Sequence, residues 1–492
     1  MTTSPTTRPA RTQLPGGTEI SRLVVGLWQV ADIERSGTMM DPERAADALA
    51  GYAGAGFDSF DMADHYGSAE VITGALLRRY PASSRPTAFT KWCPPPGPMT
   101  AAIVRAGVQA RLDRLGVDRV DLLQFHWWTY QHPAWLDALH QMAALQDEGL
   151  IGEIGVTNFD TAHLGLALAD GVPVATNQVS FSLLDRRAAG DLSDLCMARG
   201  VRLLAYGTLC GGFLSERWLG APEPLDIADW SKLKYKRFID AGGGWAAFQR
   251  LLAAVSGIAR RHGVSVSNVA TAWVLGHRSV AAAIVGARLG EAEHRDDNLR
   301  AFDLRLDAAD HAALDAAFAG MTPIPGDCGD EYRKPPYLTA SGDLSHHRDT
   351  VPMASQAFPL THRDGLRVSS GSRWEPVAGY SRAIRVGDTI RVSGTTATDG
   401  TDRVVAPGDA GAQTVYVLDK IAGALAAAGG RIEDVVRTRI YLRDPAACEA
   451  VAFAHGRVFG AIRPANTLVV AGLIGDCEVE IEAEAVVPPQ VG

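Results

Sequence analysis

The chain has 492 residues, of which 47% are hydrophobic and 21% charged, and its formal net charge at pH 7 is −9. This composition is typical of a globular protein with two or three domains, and the negative charge argues against a nucleic-acid partner. No apolar run reaches the roughly 18 residues needed to span a membrane, and the polar N-terminus lacks a signal-peptide core. The six cysteines show no metal-ligand spacing, so we expect a cytoplasmic chain without a bound metal.

Up to about residue 301, segments typical of strands alternate with segments typical of helices. After a first strand that ends near Val25, the predicted strands are Ser59–Asp61, Thr87–Lys91, Val120–His126, Gly152–Val156, Val174–Val179, Val201–Tyr206 and Ala281–Val285. Eight strand–helix units predict a closed (β/α)8 barrel, an α/β fold. An open doubly wound sheet has the same alternation, but no G-x-G-x-x-G motif follows an early strand.

One Gly-rich segment, from Gly207 to about Gly244, interrupts this alternation after the seventh strand. It carries the basic run Lys232-Leu233-Lys234-Tyr235-Lys236-Arg237. A run of this kind is usually a solvated face, and its alternative role is to attract an anionic substrate or a cofactor phosphate.

Four polar residues lie at the predicted C-terminal ends of strands two, three and four: Asp61, Tyr66, Lys91 and His126. Each has an ordinary structural explanation when taken alone, such as a helix cap or a packed aromatic ring. Together they suit carbonyl reduction by a nicotinamide, which needs a proton donor beside the carbonyl oxygen. A tyrosine serves as that donor when a nearby ammonium eases loss of its proton, and a carboxylate keeps the ammonium charged.

The segment Phe60-Asp61-Met62-Ala63-Asp64-His65-Tyr66-Gly67 resembles the signature of the aldo/keto reductases. The resemblance implies that Asp61, Tyr66, Lys91 and His126 are the catalytic residues, with His126 positioning the carbonyl oxygen. It also implies NADP(H) as the cofactor. The implied cofactor-binding residues are Thr157, Asn158, Gln178, Tyr206, Gly286, Arg288 and Asn298. Of these, Arg288 would clamp the adenosine 2′-phosphate.

The substrate pocket should be lined by Trp28, Trp127 and Trp128, together with parts of the Gly-rich segment. The substrate itself, a small carbonyl compound or alcohol, is decided by loops and is not readable from these motifs.

Composition changes towards the C-terminus. We expect residues 1–348 to form the barrel with a tail packed on it, 349–372 a linker, and 373–492 a compact α+β domain. Five short motifs in that last segment, among them Val392-Ser393-Gly394 and Arg463-Pro464-Ala465, resemble the Rid family of enamine/imine deaminases. The resemblance implies a chorismate-mutase-like fold, with trimers that place pockets between subunits.

The implied pocket of the Rid-like domain contains Tyr380, Asn466 and Glu482. In the family, an Arg at the position of Asn466 binds the substrate carboxylate, and Asn lacks the charged fork that such capture requires. We therefore expect a Rid-like fold without rapid hydrolysis of amino-acid imines.

The sequence leaves three functional hypotheses. The first is an NADPH-dependent reductase with a fused Rid-like domain. The second is a bifunctional enzyme whose two domains act in sequence on an imine or enamine. The third is a regulatory or scaffold protein that binds the cofactor without turnover.

Overall fold

The structure is a computed structural model that describes residues 7–30, 40–287, 289, 294–339 and 352–487. A short antiparallel hairpin of β1 (Arg11–Gln13) and β2 (Glu19–Ser21) comes first. Its Leu14 and Ile20 pack into a buried cluster with residues that line the inside of the barrel. The hairpin turn donates two backbone hydrogen bonds to Glu153, so it lies near the amino end of the strand that carries this residue.

Eight parallel strands form a closed barrel in sequence order, and the last strand pairs with the first. They are β3 (Leu23–Gly26), β4 (Ser59–Asp61), β5 (Thr87–Trp92), β6 (Val120–His126), β7 (Ile151–Thr157), β8 (Val174–Ser180), β9 (Arg202–Tyr206) and β10 (Val280–Gly286). This is the (β/α)8 barrel predicted from the alternating pattern. The predicted strand positions are confirmed, with ends that differ by one to a few residues.

Helices surround the barrel and follow the strands. They are α1 (Pro42–Gly54), α2 (Ala69–Leu77), α3 (Ala101–Leu115), α4 (Ala134–Asp147), α5 (Thr161–Ala169), α6 (Asp191–Arg199), α7 (Trp230–Ala241), α8 (Gly244–His262), α9 (Val266–Leu275), α10 (Arg295–Leu299), α11 (Ala308–Ala319) and α12 (Asp330–Arg333). Local signals explain their ends: Asp41 caps α1 by accepting from the Arg44 N–H, and Gly116 ends α3 in the left-handed conformation. No described helix is both long and apolar enough to cross a membrane.

Three of these helices, α7, α11 and the short α12, lie where the sequence pattern predicts none. Helix α7 falls within the Gly-rich segment, where Asp229 caps it by accepting from the Lys232 N–H. Its Lys234, Tyr235, Phe238 and Ile239 are buried, so the basic run is not a fully solvated face. Helix α11 follows the barrel and begins with a capping box formed by Asp307 and Asp310.

The C-terminal domain is a seven-stranded sheet covered on one face by two helices. Its elements are β11 (Gln356–Pro359), β12 (Leu366–Ser369), α13 (Trp374–Ala378), β13 (Ala383–Val386), β14 (Thr389–Thr396), α14 (Ala410–Ala427), β15 (Val435–Leu442), α15 (Cys448–Phe459), β16 (Ala465–Val470) and β17 (Val479–Val486). The strand order is β11-β12-β13-β14-β17-β15-β16, and only the β15–β16 pair is parallel. This arrangement agrees with the predicted α+β domain.

The structure corrects the predicted linker. Strands β11 and β12 lie inside the segment 349–372, and they extend the C-terminal sheet by pairing with β13. Both strands lie towards one edge of the sheet and are only partly buried, so they lack the apolar pattern that marks a strand in sequence. The predicted end of the barrel segment at residue 348 lies outside the described residues and remains a prediction.

The two domains touch through helix α14, which packs against α5 of the barrel. At the end of α5, Asp170 accepts hydrogen bonds of 2.8 and 2.9 Å from the guanidinium of Arg403 in the C-terminal domain. The carboxylate of Asp170 is fully buried, which makes this ion pair part of the packed interface rather than a surface contact.

Candidate functional site

The four predicted catalytic residues lie at one end of the barrel. Asp61 ends β4, Lys91 is the next-to-last residue of β5, and His126 ends β6. Tyr66 lies in the loop between β4 and α2. Parallel strands present their carboxyl ends on one face of the barrel, so the four side chains line a single cavity.

Asp61 and Lys91 form a buried ion pair with a distance of 2.6 Å between Nζ and Oδ2. The Lys91 ammonium also donates to the carbonyl oxygen of Met62 at 2.9 Å. The other oxygen of Asp61 accepts from the amide nitrogens of Gln124 at 2.9 Å and Gln178 at 2.7 Å. Because both partners are charged and hydrogen-bonded, the ammonium is held in one position beneath the cavity.

Tyr66 stands above this ion pair. Its ring centroid is 5.4 Å from the Lys91 Nζ, and its edge packs on Trp28 and His65 with centroid distances of 4.9 and 4.8 Å. The two aromatic contacts fix the orientation of the phenol in a loop that is otherwise short and polar.

His126 is buried in the wall of the same cavity, near the charge of Lys91. Burial, and after it the positive charge of Arg333, lowers the pKa of His126 well below its ordinary value. The imidazole is therefore neutral at neutral pH. Its Nδ1 lies 3.8 Å from the Cys93 Sγ, whereas its buried Nε2 has no hydrogen-bond partner among the described residues.

The cavity has a volume of about 860 Å³, which is large for a small substrate alone and suits a substrate together with a cofactor. Trp28 and Trp128 line it, as predicted. Trp127 does not belong to the described lining, which corrects its predicted role. Its side chain is fully buried and stacks on Phe125 in the core, 5.6 Å between ring centroids.

Most of the predicted cofactor residues line the same cavity. The described ones are Thr157, Asn158, Gln178, Tyr206, Gly286 and Asn298. The Thr157 Oγ1 is buried and has no hydrogen-bond partner among the described residues. The hydroxyl of Tyr206 donates to the Asn158 Oδ1 at 2.9 Å, which orients both side chains. Arg288 lies outside the described residues.

Two residues of the site were not identified from the sequence: Gln124 and Tyr332. A third, Lys234, lies in the basic run described above, and it lines the cavity. Gln124 lies within β6 and is indistinguishable in sequence from a residue facing the core. Tyr332 belongs to α12 in the tail after the barrel, and its ring packs edge-on against His126 at 5.5 Å. The aromatic residues and paired prolines of residues 323–347 predicted that this tail packs on the barrel, but not which residue reaches the site.

The tail directly contacts the loop after β7, which carries Asn158. Arg333 donates to the carbonyl oxygens of Asn158 and Trp127, each at 2.6 Å. Gly329 has a positive φ of 84°, and a Cβ at this position would overlap the Asn158 carbonyl oxygen. Glycine is therefore required for the tail to lie this close to the loop.

The predicted Rid-like pocket is not assembled within one chain. Asn466 donates to the Thr438 Oγ1 at 2.9 Å, on the face of the sheet that the helices cover. Glu482 accepts from Arg439 at 2.6 Å, and residues 438 and 439 point to opposite faces because side chains alternate along a strand. Asn466 and Glu482 thus lie on opposite faces of the same sheet.

The third predicted pocket residue, Tyr380, lies beside a buried arginine that the motifs did not single out. Arg382 donates to the Thr395 Oγ1 and the Gly394 carbonyl oxygen, both at 2.8 Å, and approaches the Tyr380 hydroxyl at 3.4 Å. Burial raises the pKa of the nearby Glu480, and the charge of Arg382 partly opposes this shift.

Comparisons with known proteins agree with this architecture. The Aldo/keto reductase family model matches residues 22–319, and the Endoribonuclease L-PSP model matches residues 370–487. The chain is 33% identical to Flagellar radial spoke protein 5 of Chlamydomonas reinhardtii over 255 residues. The aligned region covers 43% of this chain and 48% of that protein. It is 41% identical over 128 residues to the Uncharacterized protein SCO2049 of Streptomyces coelicolor. That aligned region covers 25% of this chain and 95% of that protein.

Among solved structures, the glycerol dehydrogenase of Gluconobacter oxydans superposes with a TM-score of 0.51 at 23% identity, over 64% of this chain and 97% of that chain. A likeness at this level of identity supports the barrel fold alone. The chain spans about half the length of the first curated relatives that it matches.

Proposed function

We propose that this chain, which belongs to the aldo/keto reductase family and carries an Endoribonuclease L-PSP (Rid-type) domain at its C-terminus, is an NADPH-dependent oxidoreductase. It reduces an aldehyde or ketone, or oxidises the alcohol in reverse, with Tyr66 as the general acid and base. The observation that carries the proposal is the meeting of Tyr66, the Asp61–Lys91 ion pair and neutral His126 in one cavity.

Each side chain has a distinct task in this proposal. Tyr66 gives its phenolic proton to the carbonyl oxygen as the carbon is reduced, and the ammonium of Lys91 stabilises the phenolate that forms. Asp61 keeps Lys91 charged and in place. The neutral imidazole of His126 donates from Nε2 to the carbonyl oxygen and so fixes it near Tyr66.

The chain's own residues fit a nicotinamide cofactor, which when bound supplies the hydride. Thr157 offers a buried hydroxyl without a described partner, and Asn158 presents an amide held by Tyr206. The ring of Tyr206 forms a flat aromatic wall of the same cavity, against which a nicotinamide ring can stack. These contacts lie next to His126, so they would hold the reactive face of the cofactor beside the carbonyl carbon.

The direct test is Tyr66→Phe in the full-length protein. We expect the loss of the hydroxyl to lower the turnover of aldehydes by about 10²–10⁴-fold, the usual contribution of a general acid. Binding of NADPH, measured by protein fluorescence, should stay within about twofold. Tyr80→Phe, at a tyrosine outside the described cavity lining, is the matched control. Near-normal turnover by Tyr66→Phe would disprove the assignment, and NADPH binding without oxidation across a broad carbonyl panel would favour a binding protein.

The preference for NADP(H) over NAD(H) rests on Arg288, which follows the Gly286-Ala287 turn at the end of β10. A guanidinium forms bidentate, charge-assisted hydrogen bonds with a phosphate, so Arg288→Ala should weaken NADPH binding by at least about tenfold. NADH lacks the 2′-phosphate, and its affinity should change little. An equal loss for both cofactors would show that Arg288 does not contact the 2′-phosphate.

A further inference from the structure

Part of the cavity wall comes from the tail after the barrel, in residues 326–334, which we call the tail segment. It contains α12, and Tyr332 of that helix lines the cavity. The ring of Tyr332 contacts His126 and Trp128, with centroid distances of 5.5 and 5.3 Å. The position of the tail segment therefore sets the shape of the cavity beside the histidine that is proposed to position the carbonyl oxygen.

The barrel holds the tail segment from one side. Arg187 donates to the carbonyl oxygen of Asp327 and to the carboxylate of Glu331, both at 2.8 Å. The side chains of Arg187 and Glu331 are buried, so this ion pair is shielded from solvent. Next to it, Arg333 donates to the loops that follow β6 and β7. These contacts anchor the second half of the tail segment on the barrel.

The C-terminal domain holds the tail segment from the other side. Arg457 on α15 forms an ion pair with the Oδ2 of Asp327. The same oxygen accepts from the Thr161 N–H, at the start of α5, at 3.0 Å. The side chains of Arg457 and Asp327 are 27% and 19% exposed, so solvent screens this pair less than a fully exposed one. One carboxylate thus joins the tail, the barrel and the C-terminal domain.

Asp327 also fixes the first turn of α12. Its backbone N–H donates to the Asp330 Oδ2 at 2.9 Å, and its carbonyl oxygen accepts from the Asp330 N–H at 3.1 Å. Its Oδ1 accepts from the Cys328 N–H at 2.7 Å. A shift of Asp327 is therefore passed on to α12, which carries Tyr332 and Arg333.

We propose that Arg457 is a positioning residue of the reductase cavity: by pairing with Asp327 it holds the tail segment, and with it Tyr332, against the barrel. In this arrangement the C-terminal domain completes the wall of the reductase site without touching the substrate. The inference rests on the proposed reductase function and gives the fused domain a part in it. The hold on the tail segment is also measurable without turnover.

Hydrogen–deuterium exchange of the full-length protein, followed by mass spectrometry, measures that hold. Arg457→Met keeps a long side chain but removes its charge. We expect the amides of residues 326–334 to exchange about 3–10-fold faster in this variant, the range of a partly buried ion pair. Peptides from α11 and from the barrel strands should exchange as in the wild type. An unchanged rate in the tail segment would overturn the proposal. A uniform increase along the whole chain would overturn it as well, because that result indicates a loss of global stability.

Steady-state kinetics with NADPH and 4-nitrobenzaldehyde shows whether the tail segment positions the site. We expect Arg457→Met to raise KM for the aldehyde by about 3–10-fold and to leave kcat within about twofold. The reason is that the Asp61–Lys91 pair beneath Tyr66 is held by contacts that do not involve the tail segment. Faster exchange of the tail segment with an unchanged KM would overturn the positioning role.

Three further variants sharpen the comparison. Arg457→Lys keeps a charge near Asp327, so its exchange rate and KM should lie between those of the wild type and Arg457→Met. Asp327→Asn removes the other charge of the pair, and adding Arg457→Met to it should change KM by less than about twofold. Arg431→Met, at an arginine of the same domain whose side chain is 74% exposed, should behave as the wild type.

The outcomes separate this inference from the proposed function. Independent, additive losses in the double variant of Arg457 and Asp327 would overturn the role of their ion pair, while Tyr66-dependent turnover still supported the reductase. If turnover did not depend on Tyr66, the reductase assignment would fail, and the exchange rates of residues 326–334 would still report whether Arg457 holds the tail segment.

Discussion

His163 lies between two carboxylates at the contact of the two domains. Its Nδ1 is 2.7 Å from Asp160, which caps α5, and its Nε2 is 3.0 Å from Asp419 on helix α14. Tyr130 stacks on the imidazole with 3.3 Å between ring centroids. Burial lowers the pKa of His163, but the two carboxylates outweigh burial and raise it from 6.5 to about 9. The imidazole is therefore charged at neutral pH.

This shift makes the stability of the protein depend on pH. His163 binds its proton more tightly in the folded state, so its contribution is complete below pH 6.5 and is lost as the pH rises through 9. A shift of this size corresponds to at most about 3 kcal/mol. Burial raises the pKa of Asp419, so keeping this carboxylate charged costs free energy and offsets part of the stabilisation from His163. The free energy of unfolding should thus fall by about 1–3 kcal/mol between pH 6.5 and 9.5 on account of His163.

Urea unfolding at pH 6.5, 8 and 9.5, followed by tryptophan fluorescence and circular dichroism, measures this effect. Burial lowers the pKa of Lys420 to about 8, so the contribution of Lys420 to the free energy of unfolding rises with pH above 8, opposite to that of His163. The difference between the wild type and His163→Gln at each pH therefore isolates the contribution of the histidine. The variant should be least stable relative to the wild type at pH 6.5 and should approach it at pH 9.5. His311→Gln, at an exposed position of α11, is the control. Parallel pH profiles for His163→Gln and the wild type would refute the reasoning.

Two further predictions concern the C-terminal domain. Gly423→Ala should lower the melting temperature, because the added Cβ would lie 2.8 Å from the Gln131 carbonyl oxygen across the interface. Gly456→Ala is the control: this position on α15 is in open space, so the substitution should raise the melting temperature slightly. The full-length protein should barely accelerate the decay of 2-iminobutanoate trapped with semicarbazide, because Asn466 offers only neutral hydrogen bonds and one goes to Thr438. Strong acceleration would mean that another residue supplies the positive charge.

The barrel and its polar cluster were predictable because they depend on local patterns. Asp61 and His126 each come directly at the end of a buried apolar strand, and parallel strands in a barrel must bring such ends together. Lys91 follows the same rule one residue before the end of its strand. To predict that these residues meet, one needs only to know that the barrel closes, and the count of eight strand–helix units predicts that closure.

Side-chain direction and tertiary packing were not predictable in the same way. Trp127 and Trp128 are adjacent and chemically identical, and only their direction after the strand sends one into the core and the other to the cavity. Lys234 belongs to a run of basic residues that is ordinarily solvated, and it is buried because α7 packs over the mouth of the barrel. The strands 356–359 and 366–369 depend on pairing with a sheet formed mostly by later residues.

A continuous series of contacts joins the C-terminal domain to the loop after β7 that carries Asn158. Asp419 pairs with His163, the imidazole stacks on Tyr130, and the guanidinium of Arg333 lies 4.3 Å from the Tyr130 ring centroid. Arg333 then donates to the carbonyl oxygen of Asn158, a residue with a positive φ of 56°. An asparagine in this conformation depends on its neighbours for support, so the loop conformation rests on the same packing that holds the domains together.

Deleting the C-terminal domain would therefore change the barrel as well. The deletion removes the Asp419 carboxylate from His163, takes Arg403 away from the buried carboxylate of Asp170 and exposes the face of α5 that α14 covers. Altered turnover in a truncated protein would follow from this loss of support alone, and it would not show that the domains act in sequence. Glu482→Gln, on the open face of the C-terminal sheet, leaves these interface contacts in place. A change of product with that variant would indicate sequential action, whereas identical products and rates would argue against it.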